Sequence, residues 1–384
     1  MCPWFESRWY HIPRQADSGP LVAFWPLMNG QAVFPAHIHL DYRFEALRLW
    51  LDEHRPPSIV VITDRNTEKH CLPLLAPHLP PGTQFLALSS HGEAIKTLPF
   101  AHGIWDSLEG MGMDRHGLVI GLGGGTVTDL VAFTADTYMR GVHCWLIPTT
   151  VLGMVDASVG GKTGINLNHL KNRIGTFHTP DGISIHPEFL NTLDDRERRN
   201  GWAEHFKHHL ITSEEPLDMA GGLIDGTAPG EAVMEALAYS IRSKWDVVTQ
   251  DPTESTGWRK VLNFGHTGGH ALEGWALEHD VDIKHGEAVA WGMRLALNIS
   301  ILHPECPDAD EATFASLIEF LEGAFPLPGA LPDKEELWAR MQTDKKNLGG
   351  RLLFVLLDGV GHPKPDLEVS SEMVETALGK MTQP

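Results

Sequence analysis

The stretch Gly117-Leu-Val-Ile-Gly121-Leu-Gly-Gly-Gly-Thr126 runs from a short apolar segment into three consecutive glycines, and a helical pattern follows from Thr126 to Ala135. A strand that empties into a glycine turn and then a helix opens a nucleotide-binding α/β unit. The glycines let the backbone approach a pyrophosphate, and the helix N-terminus faces the anion. The turn departs from the GxGxxG dinucleotide spacing, because Thr126 takes the last Gly position. A plain tight turn is the alternative reading, and Asp129 in the first helical turn would also suit the helix dipole.

Outward from this turn the same alternation repeats. Ser58-Ile-Val-Val-Ile-Thr63 is a strand ending at Asp64, Gln84-Phe-Leu-Ala-Leu88 is another, and His143-Cys-Trp-Leu-Ile147 is stopped by Pro148. Strands separated by helices predict a parallel, doubly wound sheet. After about residue 190 the character changes. Glu231 to Gln250 reads as an amphipathic helix with Val233, Leu237, Ile241, Trp245 and Val248 on one face. Glu287 to Ile301 and Glu311 to Leu321 also read as helices, and the Pro/Gly cluster at 325–329 precedes a last helix and a strand pair. The expected fold is an α/β N-terminal Rossmann-like nucleotide-binding domain (1–185) plus a mostly α-helical C-terminal domain (186–384), with a ligand cleft between them.

Three short segments of the second half carry chemistry: Gly201-Trp-Ala-Glu204-His-Phe-Lys207, Asn263-Phe-Gly-His266-Thr-Gly-Gly-His270 and His285-Gly-Glu287-Ala-Val289. Each supplies a natural ligand for a divalent metal, and a catalytic zinc takes three such ligands while keeping one position open. Beside them stand groups that handle anions or protons: Lys207, Asn263 with His270, and Lys284. The chain has 22 histidines, so a single His says little; the weight lies in the set of three motifs. His266 and His270, four apart, share a helix face, and spacing alone leaves open which of them is a ligand. Gly160-Gly-Lys162-Thr163 is not a P-loop, because Asp156 stands where its first Gly is required. It reads as a basic surface loop running on to Lys171-Asn172. Lys244 lies beside the apolar face of its helix, either snorkelling or turned into the cleft.

A chain of 384 residues suits two domains, and 42% apolar with 21% charged residues is ordinary globular composition. The formal charge of −20 argues against nucleic acid and anionic membranes as partners, since both need a basic footprint. It permits a small anionic substrate held in a locally basic cleft. No apolar run is long enough to cross a bilayer. The N-terminus lacks a signal-peptide pattern, and four scattered cysteines form no CxxC pair. A cytoplasmic location is expected.

The quoted motifs combine with Tyr138-Met-Arg140-Gly, Pro148-Thr-Thr150, Val155-Asp-Ala-Ser-Val-Gly-Gly-Lys-Thr163, Arg259-Lys-Val-Leu-Asn263 and Asp344-Lys-Lys346. In this order, from about residue 60 to 360, the set resembles the 3-dehydroquinate synthase family. The resemblance implies conversion of 3-deoxy-D-arabino-heptulosonate 7-phosphate to 3-dehydroquinate and phosphate, a step of the shikimate pathway. It implies NAD as a recycled cofactor and zinc (or cobalt) as the metal. A secondary hydroxyl would be oxidised, phosphate eliminated, the hydride returned, and the opened ring closed by an intramolecular aldol step.

By the same resemblance, Glu204, His266 and His285 ligate the metal. His270 joins Lys162, Asn172, Asn263 and Lys346 (rather than Lys345) around the substrate phosphate. Lys207, Lys244 and Arg259 hold the substrate carboxylate and hydroxyls, and Asp156 contacts the reacting hydroxyl region. The NAD residues would be Asp64, Asn66, Glu93, Lys96, Gly124, Gly125, Thr126, Asp129, Thr149, Thr150, Lys171, Phe189 and Thr192. Arg140 would reach the substrate phosphate of a neighbouring subunit, which requires a homodimer. Three positions depart from the usual family pattern: Thr128 replaces a Gly, Gly268 replaces a large apolar residue, and one extra residue lies between Lys244 and Arg259. Competing readings are a relative that cyclises sedoheptulose 7-phosphate, a metal-dependent polyol dehydrogenase, and a non-catalytic binding protein.

Overall fold

The computed structural model describes residues 5–8, 35–89, 92–168, 170–213, 220–329, 331–343 and 351–381. The chain divides into two compact units, Met1–Leu193 and Asp194–Pro384.

The first unit is built on a seven-stranded sheet. In chain order its elements are β1 (Phe5–Arg8), β2 (Ile38–Leu40), α1 (Glu45–His54), β3 (Ile59–Asp64), α2 (Arg65–His70) and α3 (Leu72–Leu75). Then come β4 (Gln84–Leu88), α4 (Leu98–Gly110), β5 (Leu118–Gly123), α5 (Gly125–Thr137), β6 (His143–Pro148), the hairpin β7 (Ile165–Leu167) and β8 (Leu170–Ile174), and β9 (Gly182–Ile185). The spatial order is β1-β4-β3-β5-β6-β9-β2. Six strands are parallel, and only β1 pairs antiparallel, with β4. β3 and β5 are buried at every position, as expected of central strands covered on both faces.

From β3 the chain crosses to β4 on one side, and β5 then pairs with the other side of β3. That reversal makes the carboxyl ends of β3 and β5 a topological switch point, where open α/β sheets bind ligands. Residues 160–172, read from sequence as a surface loop, are corrected here to a loop leading into the β7–β8 hairpin. Thr163 and Thr176 close its base through a 2.8 Å hydroxyl contact, and the Asn166 amide donates to the Lys96 carbonyl at 2.7 Å.

The second unit is helical: α6 (Asp195–Thr212), α7 (Ala220–Asp225), α8 (Gly230–Gln250), α9 (His266–Glu278), α10 (His285–Leu302), α11 (Glu311–Ala324) and α12 (Lys334–Thr343). The hairpin β10 (Leu353–Leu357) and β11 (Pro363–Glu368) follows, and a further helix, α13 (Ser371–Met381), lies beyond the expected strand pair. α10 is the central helix, buried from Gly286 through Ser300. The buried stripe of α8 is made largely of small residues, Ala232, Ala236, Ala238, Ser240 and Ser243, with Leu237, Ile241, Val247 and Val248. Val233 and Trp245, expected at its centre, are only half-buried. Among the described residues no helix is long and apolar enough to cross a membrane.

Candidate functional site

In the first unit the carboxyl ends of β3, β5 and β6 bring Asp64, Gly124 and Thr149 to one edge. Gly123 pairs with Pro148 in register, and the Thr149 amide donates to the Gly123 carbonyl at 2.9 Å. Gly124 caps α5, so Gly125 and Thr126 form its first turn. Gly125 is required by close approach: a Cβ there would stand 2.8 Å from Cβ of Ala157. Thr128, where the family usually has Gly, is accommodated because its buried hydroxyl donates back to the Gly125 carbonyl at 3.0 Å. Thr150 Oγ1 accepts from the Gly153 amide at 3.0 Å and shapes the loop that carries Asp156.

Asp64 caps α2. Its Oδ1 accepts from the Thr67 amide at 2.8 Å while Thr67 Oγ1 accepts from the Asp64 amide at 3.0 Å, a reciprocal capping box. Asn66 lies exposed on the same helix. Lys96 and Asp129, two expected cofactor residues, pair with each other at 2.6 Å. Asn166 Nδ2 donates to Glu93 Oε2 at 2.8 Å, and Asn166 Oδ1 accepts from the Asn172 amide at 2.9 Å. Glu93, Lys96, Asp129 and Asn172 are therefore one network linked through Asn166, with Lys171 beside Asn172 on β8. Thr192 Oγ1 lies 3.9 Å from Cys71 Sγ, whereas the Phe189 ring is fully buried against Phe44 and His186. Lys162 is exposed. Arg140 is exposed at the amino edge of β6, opposite the glycine turn, and follows Met139; both have positive φ, 68° and 50°.

The second unit contains the expected metal-ligand set. Glu204, His266 and His285 each offer a ligand atom, and these atoms all lie within 4.8 Å of one another. His266 Nε2 stands 3.6 Å and His285 Nε2 3.4 Å from Glu204 Oε1. Ligands about 2.1 Å from a tetrahedral metal lie about 3.4 Å apart, so the spacing fits donors around one ion. Both Glu204 oxygens are buried with no hydrogen bond of acceptable geometry, although the Lys207 ammonium lies against Oε2. A buried carboxylate of this kind is a poor structural element and a good metal ligand.

The surroundings act differently on each expected ligand. Burial alone would raise the Glu204 carboxyl, but Lys207, His266 and His285 outweigh it and hold it well below the ordinary range. Burial first, then Lys207, lowers His266 strongly, which keeps the imidazole neutral as a ligand requires. Its Nδ1 is 3.2 Å from the Phe264 carbonyl. For His285 burial acts downward, but Glu273 and Glu204 outweigh it and the metal-free ring is pushed up to about 10. Glu273 Oε2 lies 3.3 Å from His285 Nδ1.

His285 is fixed at the first residue of α10. Asn200 Oδ1 accepts from the Gly286 amide at 2.6 Å, and Arg196 grips Glu287 with two bonds of 2.7 and 2.8 Å. Lys284 pairs with Glu197 at 2.9 Å. Lys207, Lys244 and Arg259 are all buried, so Lys244 is not snorkelling. Arg259 is held by its Nη1 donating to the Pro252 carbonyl at 2.7 Å. Asn263 is half-buried at the end of a 3-10 turn, Trp258–Asn263. His270 is exposed one turn along α9 from His266, with ring centroids 5.2 Å apart. Lys345 and Lys346 lie outside the described residues.

Glu273, Asn166, Asn200 and Arg196 were missed in the sequence. Only Glu273 carried a signal there, lying two turns from His266 on the same helix. The other three act across long sequence separations that no local pattern marks.

Models of the 3-dehydroquinate synthase N-terminal and C-terminal families match residues 86–200 and 201–347. The chain is 38% identical over 317 residues to a 3-dehydroquinate synthase of Xanthomonas oryzae pv. oryzae, spanning 77% of this chain and 84% of that one. It is 34% identical over 333 residues to that of Parabacteroides distasonis, spanning 86% and 93%. Among solved structures, 2-epi-5-epi-valiolone synthase from Streptomyces hygroscopicus subsp. jinggangensis, with NAD+ and Zn2+ bound, superposes with a TM-score of 0.77 at 26% identity, covering 93% of this chain and 99% of that one. A 2-deoxy-scyllo-inosose synthase with carbaglucose-6-phosphate, NAD+ and Co2+ gives 0.75 at 21% identity over 89% and 95%, a likeness of fold alone. The chain belongs to the 3-dehydroquinate synthase family and is an enzyme with that family's activity.

Proposed function

We propose that this enzyme converts 3-deoxy-D-arabino-heptulosonate 7-phosphate to 3-dehydroquinate and phosphate using NAD at the β3/β5 edge and a divalent metal, zinc or cobalt, held by Glu204, His266 and His285. The observation that carries the proposal is the buried carboxylate with two imidazole nitrogens at ligand-to-ligand spacing. When bound, the metal would polarise a substrate oxygen and NAD would accept and return a hydride.

The chain's own residues do the rest. Gly124 and Gly125 would keep the backbone low where a pyrophosphate would meet the start of α5, and Asp64 and Asn66 are assigned to the same cofactor side. Thr126, Asp129, Thr149, Thr150, Glu93, Lys96, Lys171, Phe189 and Thr192 complete the assigned cofactor set. Buried Lys207, Lys244 and Arg259 are assigned to the substrate carboxylate and hydroxyls. Cations inside an acidic protein are expected where a small anion must be gripped. Asn263, His270, Lys162, Asn172 and Lys346 are assigned to the phosphate, and Asp156 to the reacting hydroxyl. Holding one small molecule by so many groups converts a multistep rearrangement into a guided intramolecular one. Arg140 is assigned to the phosphate of a neighbouring subunit in a homodimer, which suits its exposure on the edge opposite the glycine turn. A cytoplasmic location is supported by three buried, unpaired cysteines, Cys71, Cys144 and Cys306.

The test supplies the heptulosonate phosphate with NAD far below substrate concentration. Phosphate is expected in large excess over NAD, with no lasting NADH. Stoichiometric NADH would refute the cyclase reading in favour of a dehydrogenase. Turnover of sedoheptulose 7-phosphate instead would move the assignment to a sibling cyclase.

A further inference from the structure

We propose that Glu273 is a positioning residue for the metal centre: its carboxylate accepts a hydrogen bond from Nδ1–H of His285 and so commits Nε2 to the metal. The inference rests on the reading of Glu204, His266 and His285 as the ligands. The two histidines are braced differently. His266 leans on a neutral acceptor, the Phe264 carbonyl at 3.2 Å, whereas His285 faces a carboxylate at 3.3 Å with its other nitrogen 3.4 Å from Glu204 Oε1. A carboxylate behind a ligating imidazole fixes its tautomer and orientation and makes it a stronger donor.

The helix pairing explains why Glu273 stands there. α9 and α10 run antiparallel. A Cβ on Gly265 would meet Met293 at 2.6 Å, and a Cβ on Gly269 would meet Val289 at 3.2 Å. One further turn along α9 and one turn back along α10 bring Glu273 opposite His285. Glycines on the facing surfaces let the helices approach closely enough for a glutamate to reach the ring. One helix therefore supplies both a ligand, His266, and the brace for the ligand of its neighbour. The Glu273 side chain is about nine-tenths buried, which strengthens such a bond.

The test uses the full-length protein stripped of metal. Zinc and cobalt affinities are measured by chelator competition for wild type, Glu273→Gln, Glu273→Asp and His266→Ala, beside metal-free melting curves and the visible spectrum of the cobalt form. Glu273→Gln keeps the shape and removes the charge, so zinc should bind about 10- to 100-fold more weakly. The cobalt spectrum should shift, and the metal-free melting temperature should fall as the buried Glu273–His285 pair is lost. Glu273→Asp keeps a charged acceptor and should lose less than Gln. A plain packing role ranks the two the other way, because Asp is the larger change of shape. Wild-type affinity in Glu273→Gln, or weaker binding by Asp than by Gln, overturns the proposal while His266→Ala still loses the metal. Full metal binding by His266→Ala would show instead that the ligand assignment is wrong, and the role of Glu273 would fall with it.

Discussion

Replacing Gly292 by Ala should damage both stability and metal binding through one displacement. A Cβ on Gly292 would lie 1.9 Å from the Gly265 carbonyl oxygen and 2.7 Å from the Gly269 nitrogen. Both are backbone atoms, so no side chain can rotate away. Restoring even a 3.0 Å contact requires α9 and α10 to part by about 1.1 Å. Overpacking of this kind costs about 1–3 kcal/mol, and a rigid backbone obstacle places it at the upper end. For a unit of this size that lowers the melting temperature by roughly 6–12 °C. The same movement parts His266 from His285, and a metal site tolerates about 0.2 Å in its ligand distances. Zinc affinity should therefore drop at least about tenfold. Gly274→Ala, on the facing helix α9, is the control, since its added Cβ meets nothing nearer than Arg340 at 3.8 Å. It should gain about 0.5–1 kcal/mol by removing glycine from a helix interior. The assays are thermal unfolding of the metal-free protein and chelator competition. Gly292→Ala with wild-type melting and wild-type zinc affinity would refute the claim that close helix approach builds the site.

Acid should weaken the protein partly through His205. Its burial, and then the nearby His209, push it down to about 4, so it is neutral in the fold beside Ser240. Its folded value lies below its unfolded value of 6.5, so this contribution is full above pH 6.5 and is lost as pH falls toward 4. The stability difference between wild type and His205→Asn should shrink by roughly 2 kcal/mol from pH 7.5 to 5 in urea unfolding; a constant difference would contradict the assignment. Arg140→Ala and His270→Ala subunits, each inactive alone, should regain part of their activity when mixed. In a dimer sharing sites across subunits, one site carries both defects and the other neither. No recovery despite subunit exchange would return Arg140 to its own chain's site or remove it from any site.

Local pattern carried the central strands because they obey local rules. The segments read at 58–63, 84–88 and 143–147 are continuous apolar runs, as buried parallel strands must be, and each matches an observed strand within a residue or two at its ends. β2 and β9 were not read, because three- and four-residue strands carry too little periodicity. The β7–β8 hairpin was missed for another reason. Its basic, glycine-rich approach looks like loop, and its order comes from Asn166 and Thr163 bonding to partners far away in sequence.

That Glu204, His266 and His285 would meet was legible because metal chemistry restricts residue type and because the whole motif set resembles one family. Nothing local revealed that Lys96 pairs with Asp129, that Asn200 holds the start of α10, or that Glu273 backs His285. Sequence by itself determined the alternation of strands and helices, the glycine turn, and which residue types gather into motifs. Those follow from short-range sterics and from the burial each element needs. Only the tertiary structure decided which charges neutralise one another and which nitrogen of each histidine faces the carboxylate, because helix spacing and antiparallel pairing bring together atoms that sequence order leaves far apart.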